Sequence, residues 1–399
     1  MPHPRIGLPV AVALLVAAIV PAPLRPGTPD PVTKPVHGLE VAPDAPELRQ
    51  VPALRARLRS TPHAYFRFVN CRFAALVCPR FEDVVLPAVT LHGDAHLEQY
   101  AVTDIGRGLD DFDDSSTGQP MLDLVRFGAS IRLAARERGW EGDADRLWAR
   151  FWNGYELALR DPRTEAPEPR FVRRLRAGFS HDRLALLAQA EAFIESLPEP
   201  PPMLEEPTRT ETIALLARNS GIPVSFFRIK KAGVLHLGIG SAAEEKYLFR
   251  VDGETTADDD DVILEFKAVR DLRAIPCIRV DPGPTRIVVG QSDLAYQPYR
   301  YAGAVHAAGL DFWVHAWPVN YAELRIEKLR SPDELSEVVY DAGVQLGRGH
   351  PKRWSESEAE RLRRQLVEGL PKDRINEAAI ELAAETVKAW ERFRAVTAP

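Results

Sequence analysis

The stretch LPEPPPMLEEP, residues 197–207, places five prolines in eleven positions. Proline lacks the amide hydrogen that helices and inner strands use, and it drives the residue before it toward extended backbone, so no regular element crosses such a stretch. The 399-residue chain is therefore divided there, and the hydrophobic pattern differs on the two sides. Before the break, Tyr65, Phe68, Val69, Phe73 and Leu76 recur at helical spacing, as do Leu122, Val125, Ser130 and Leu133 in a segment that Gly139 is placed to stop. After it, GVLHLGIGSAAEEKYLFRVDG reads as two strands joined by a glycine-containing loop. DDVILEFKAVRD reads as a third strand, and TRIVVGQ and DFWVHAWPV as further short ones. From about Ser331 the helical period returns. The predicted class is α+β, with a helical block over 53–200, a β-rich block over 201–320 and closing helices over 321–399 that pack back on the first block.

The N-terminus carries one positive residue, Arg5, ahead of an apolar run from Leu8 to Val20. That run is too short to span a bilayer and suits the core of a signal peptide, which predicts residues 1–22 as a leader on an exported chain with no stable transmembrane span. A mis-assigned start codon would make the protein cytoplasmic instead. Frequent prolines over 23–52 predict a linker. A net charge of −6, without a basic stripe interleaved with aromatics, argues against nucleic acid as a partner. Cys71, Cys78 and Cys277 contain no CxxC pair, which excludes a zinc ribbon and a disulfide scaffold and leaves one Cys71–Cys78 bridge open. The acidic run Asp258 to Asp261 reads as a solvated hairpin tip.

The chemistry concentrates in LPAVTLHGDAHLEQYAVTDIGRGLDDFDDS, residues 86–115. Carboxylates this dense repel one another unless cations or water intervene. A strand through VVLPAVTLHGD and a second carrying GLDDFDD would bring the motifs together. If TLHGDAH stays extended, His92, Asp94 and His96 project to one side, and with Asp111 or Asp113 they could hold zinc or iron for hydrolysis. If Asp94 instead sits in a tight loop, it could orient a hydroxyl while a downstream aspartate holds magnesium. Lys267 in VILEFKAV shares a strand face with Ile263 and Glu265, opposite Val262, Leu264 and Phe266, which suits a phosphate contact.

H-G-D-x-H, followed seventeen residues after its aspartate by another in a D-F-D setting, resembles the aminoglycoside-phosphotransferase branch of the protein-kinase-like superfamily. More closely, TPHAYFRF, HGDAHLEQY, DDFDDS, TGQPMLDLVRFGAS, LGIGSAAEEKY, VILEFKAV, RIVVGQ and LGRGHPK resemble the bacterial family DUF2252 from about Ser60 to Lys352. The resemblance implies an ATP- and Mg2+-dependent phosphotransferase acting on a small molecule or protein. It makes Asp94 the catalytic-loop aspartate, with His92 bracing the loop and Asp123 as a second brace. Asp111 becomes the main magnesium ligand, with Asp113 beside it. The family's asparagine, a second metal ligand, is Gln99 here, so a catalytically degenerate binding module is the alternative. Gly238, Gly240, Ser241 and Lys267 become the phosphate-binding set. In ordinary kinases such a lysine precedes the catalytic loop, yet Lys34 is the only lysine before Asp94. The expected fold is thus a two-lobe kinase-like one, circularly permuted, with the helical catalytic lobe first and the β-rich nucleotide lobe second.

Overall fold

Short strands in the first half of the chain are completed by strands from the second. The computed structural model describes residues 38–198, 212–214, 216–218, 220–235, 239, 244–279, 283–307, 309–318, 320–353 and 355–397. The expected leader, residues 23–37 of the expected linker, residues 199–207 of the proline break, and Gly238, Gly240 and Ser241 lie outside these.

The first half carries β1 (Val89–Leu91), β2 (Tyr100–Thr103), β3 (Arg107–Leu109) and β4 (Ser116–Gly118). The second carries β5 (Ile229–Val234), β6 (Lys246–Val251), β7 (Val262–Ala268), β8 (Ile278–Arg279), β9 (Gly303–Ala307), β10 (Leu310–Ala316) and β11 (Tyr321–Glu323). They form three antiparallel sheets ordered β1-β4-β8, β11-β2-β3 and β5-β6-β7-β10-β9. Together with the helices this is a mixed α+β architecture. Among the described residues no helix is long and apolar enough to cross a membrane.

In the five-stranded sheet, side chains alternate between faces. Tyr247, Phe249, Leu264, Phe266, Phe312 and Val314 point one way and pack with Phe226 and Phe227 into a core of their own. Lys246, Glu265, Lys267, Trp313 and His315 sit on the opposite, inward face and are buried there. An apolar hollow lined by Ile213, Ile229, Tyr247, Phe249, Phe266 and Phe312 lies on the first face, turned away from Lys267.

The larger core is helical. Helix Met121–Arg138 is buried along most of its length and ends at Gly139 in the left-handed conformation. Helices Pro332–Gly349 and Lys372–Val396 pack on helices Ala144–Arg160 and Met121–Arg138 respectively. The first contact is close because Gly343 and Gly347 bring backbone to backbone. A Cβ on either would lie 2.2 Å from the Phe151 carbonyl oxygen or 2.3 Å from that of Tyr155. Cys78 and Cys277, 199 residues apart, form a disulfide that ties the first half to the segment leading into β8.

Several expectations are corrected. The end of the expected 23–52 linker is folded: Leu39, Val41 and Leu48 are buried in the helical core and Pro46–Gln50 is a helix. Cys71 is free, so the bridge left open between it and Cys78 does not form. TRIVVGQ begins the helix Thr285–Leu294, opened by Pro284, where Gly290 lies against Ser115. The acidic run is not all solvated, because Asp261 is fully buried and takes Lys230 and Arg250 as partners.

Candidate functional site

β1 ends at Leu91, and the chain turns at once because Gly93 has φ +83°. A Cβ on Gly93 would lie 1.9 Å from the Asp114 carbonyl oxygen, so only glycine fits. The turn directs the His92 ring to the Asp110 carbonyl and away from the Asp94 carboxylate and from His96, whose Nε2 lies 3.7 Å from Asp94 Oδ2. The Asp123 carboxylate holds the turn, accepting the backbone N–H of His92 at 2.7 Å and of Gly93 at 2.9 Å. Asp123 is oriented in turn by His350 at 3.2 Å, whose other ring nitrogen meets the Tyr155 hydroxyl at 2.9 Å.

The His92 ring accepts the Asp94 N–H at Nδ1 (3.3 Å), which leaves Nε2 to donate to the Asp110 carbonyl at 2.9 Å. Burial lowers its basicity, and this neutral tautomer joins the HGD turn to the second acidic motif. His96 is fully buried, edge-on to His63, and neither of its ring nitrogens has a hydrogen-bond partner. The His92–Asp94–His96 metal shell is therefore not assembled. Among the described residues no group of three or more His, Cys, Asp or Glu side chains is placed to hold a metal.

Asp94 is fixed by an arginine that sequence reasoning did not single out. Arg126 reaches Asp94 Oδ1 at 2.5 Å, with its guanidinium 4.0 Å from the centre of the Phe66 ring. The other oxygen, Oδ2, faces the Gln99 amide nitrogen at 3.4 Å. Burial outweighs the attraction of Arg126 and pushes the Asp94 carboxyl up to about 7. A carboxylate so raised is a better proton acceptor near neutrality than one at the ordinary value of about 3.9.

The expected strand through GLDDFDD stops at Leu109. Asp111 adopts φ 60°, ψ 71°, the left-handed region that non-glycine residues rarely occupy, and a 3₁₀ turn follows over Phe112–Asp114. Such backbone persists only where its surroundings enforce it. Here Asp110 N–H donates to the Gln99 carbonyl at 2.8 Å, the Tyr299 hydroxyl donates to the Asp110 carboxylate, and Arg286 donates to the carbonyls of Asp113 and Ser115 at 2.6 and 2.7 Å.

Lys267 lies at the centre of this region. Its Nζ is 2.7 Å from Asp111 Oδ1, 156 residues away in sequence, and 2.6 Å from Asp113 Oδ2. The Trp313 indole, opposite Lys267 on β10, donates to Asp113 Oδ1 at 2.8 Å. Against burial, which would raise it, the ammonium holds the Asp111 carboxyl well below the carboxylate range; burial and then the Asp111 charge push Asp113 upward. Gln99 donates to Asp111 Oδ2 at 3.3 Å. Glu265, on the Lys267 face of the same strand, is tied to His315 and to the Trp317 indole.

The dense acidic motif is thus divided among separate cations. Asp94 has Arg126, Asp111 and Asp113 share Lys267, and Asp114 takes Arg270 at 3.0 Å and the Asn70 amide at 2.6 Å. Two of the residues missed had a readable signal. Arg126 follows Asp123 by three positions on an otherwise apolar helix face, and Arg270 follows Lys267 by three. Asn70, Trp313 and His350 carried none, because their partners are distant in sequence.

Asp111 and Asp113 offer two adjacent hard oxygen donors. That matches Mg2+, which takes one or two carboxylates and leaves its remaining positions to water and ligand phosphates. Lys267 fits a phosphate at the same place. The donor set fits a magnesium–phosphate ligand.

A family model described as an uncharacterized protein conserved in bacteria, DUF2252, matches residues 48–197 and 209–396. The chain belongs to the DUF2252 family. Searches of curated proteins and of solved structures find no match.

Proposed function

We propose that this DUF2252 protein is an ATP- and Mg2+-dependent phosphotransferase on a permuted kinase-like plan, with the helical half supplying the catalytic loop and the five-stranded sheet supplying the phosphate contact. The observation that carries the reading is the meeting of Lys267 with Asp111 and Asp113 across 156 residues. Structural neutralisation alone does not call for the strained backbone at Asp111 or for a carboxylate beside it tuned toward neutrality. Asp111 and Asp113 would hold magnesium, which would supply neutralisation of the charge on the phosphoryl oxygens. Lys267 would hold the phosphate oxygens, Asp94 would orient and accept the proton of the attacking hydroxyl, and Arg126 would keep Asp94 in place. Proton acceptance by a positioned base typically contributes about 10²–10⁴ in rate.

The experiment is release or transfer of the γ-phosphate of ATP, measured beside nucleotide binding. Asp94→Asn should lower turnover by about 10²–10⁴ and leave binding intact. Turnover within about tenfold of wild type in this variant overturns the role of Asp94. One observation favours a second reading, a nucleotide-binding module without turnover: Gln99 turns its amide nitrogen toward both Asp94 and Asp111, where a metal ligand would present oxygen. Binding without turnover, and no gain from Gln99→Asn, would select it.

A further inference from the structure

His350 touches none of the reacting groups proposed above, yet it grips the chain just ahead of Asp94 from two sides. It caps the helix Pro332–Gly349, and its carbonyl accepts the Thr90 N–H of β1 at 3.2 Å. Its Nε2 lies 3.2 Å from Asp123 Oδ2, the oxygen that also takes the His92 N–H, while Oδ1 takes that of Gly93. Against burial, which would raise it, the hydrogen bonds from His350 and His92 hold the Asp123 carboxyl below its ordinary value. An ionised carboxylate only accepts, so the proton of the His350 contact sits on Nε2. The Tyr155 hydroxyl at Nδ1 fixes the ring, and Asp123, Tyr155 and His350 are all buried. The end of the helix has no room to slide. A Cβ on Gly349 would lie 2.5 Å from Leu294 Cδ2, and one on Gly347 would lie 2.3 Å from the Tyr155 carbonyl oxygen.

We propose that His350 is the positioning residue of the catalytic turn: through Thr90 and Asp123 it ties residues 90–93 to the end of a closing helix, and Tyr155 sets its ring. The proposal rests on the phosphotransferase reading and adds to it a residue from the far end of the chain. Asp94 follows Gly93 directly, so a shift of the turn carries its carboxylate along. A misplacement of about 1 Å at a reacting group can lower a rate by about 10². Without the Nε2 proton, Asp123 Oδ2 keeps a single donor in a dry core. Asp123 then takes up a proton or turns toward another donor, and either way its hold on the His92 and Gly93 amides weakens. Nucleotide binding is assigned to Lys267, Asp111 and Asp113, so the effect falls on kcat and not on KM.

The test is γ-phosphate release from ATP by the full chain, with kcat and KM measured on wild type, His350→Leu, His350→Gln, His350→Asn and Tyr155→Phe, beside hydrogen exchange at the His92 and Gly93 amides. Glutamine places an amide N–H as many bonds from Cβ as the imidazole Nε2, whereas asparagine places it one bond nearer, at the position of Nδ1. His350→Leu and His350→Asn should lower kcat about ten- to a hundredfold, the size of a hydrogen bond to a charged group, with KM for ATP within about threefold. Exchange at the two amides should quicken about tenfold or more in both. His350→Gln should keep kcat within about fivefold of wild type, and Tyr155→Phe, which only frees the ring, should lose about two- to fivefold. A histidine that merely supports the fold would lower the melting temperature without separating kcat from KM. If wild type turns over ATP and the Leu, Asn and Gln variants share one kcat, or the loss falls on KM, the positioning falls and the phosphotransferase reading stands. If wild type shows no turnover, that reading falls and amide exchange alone decides the positioning. Faster exchange in His350→Leu and His350→Asn but not in His350→Gln supports it, and unchanged exchange in all three overturns it. Should His350→Leu prove unfolded by circular dichroism, the Gln and Asn variants carry the test, and equal kcat in those two overturns the proposal.

Discussion

Replacing Lys267 with methionine keeps the length and apolar stem of the side chain and deletes only the ammonium that Asp111 and Asp113 share at 2.7 and 2.6 Å. Asp113 then stays buried, and Asp111, a third of whose side chain is exposed, stays half-buried, both without that counter-ion. Breaking a buried ion pair from one side costs about 3–5 kcal/mol, because the abandoned charge has already lost its water. Spread over residues 37–399, which cluster as one unit, an unfolding entropy of about 2.1 cal/mol/K per residue gives about 0.76 kcal/mol/K. The melting temperature should therefore fall by about 4–7 °C at neutral pH. The deficit should shrink as pH is lowered. Without the ammonium the folded-state pKa of Asp111 rises, so the folded variant holds protons that its unfolded chain releases above about pH 4, and its stability falls as pH increases. Scanning calorimetry at several pH values measures both effects. Lys267→Arg, which keeps the charge, should recover part of the loss. A Lys267→Met protein that melts with wild type at every pH would refute the buried pairing.

Three further outcomes follow from other parts of the molecule. The Cys78–Cys277 link closes a span of 199 residues, and its removal by paired serine substitution should cost about 3–5 kcal/mol in urea unfolding, read against wild type with and without reductant. Gly347→Ala would force a Cβ to 2.3 Å from the Tyr155 carbonyl oxygen, so the helix pair must separate, with a destabilisation of about 1–3 kcal/mol in the same assay. His96 is fully buried, and burial and then the Arg67 charge hold it well below its ordinary 6.5; its unfolded form takes up a proton that the folded form refuses. Stability should thus decline as pH falls below about 6.5, by up to about 1.4 kcal/mol per unit for this residue, and His96→Asn should flatten that limb in denaturant titrations at pH 5–7.

The parts of the site legible from sequence were those governed by local periodicity. Alternation along VILEFKAV placed Lys267 and Glu265 on one face of a strand, and β7 has that face turned inward. Gly139 marked the end of a helix because the left-handed stop is a local property. What escaped was set by distant partners. Ile287, Val288 and Val289 look like a strand, but a short apolar run cannot be told from a buried helix by period alone, and contact with Ser115 decides it. Leu39, Val41 and Leu48 lie among prolines without a period, yet each finds a place in the core. The partner of Cys78 lay across the chain at Cys277, and spacing could not name it. The left-handed turn at Asp111 was invisible for the same reason, since the groups that brace it come from Gln99, Arg286 and Tyr299.

The most direct measurement is a calorimetric titration of ATP into the full chain with and without Mg2+, repeated on Asp111→Asn and Lys267→Met. Magnesium-enhanced binding in wild type, with the metal effect lost in the first variant and nucleotide affinity lost in the second, is the expected result. Affinity that ignores magnesium and survives both substitutions would mean that the convergence of the lysine with the two aspartates is only a structural ion pair.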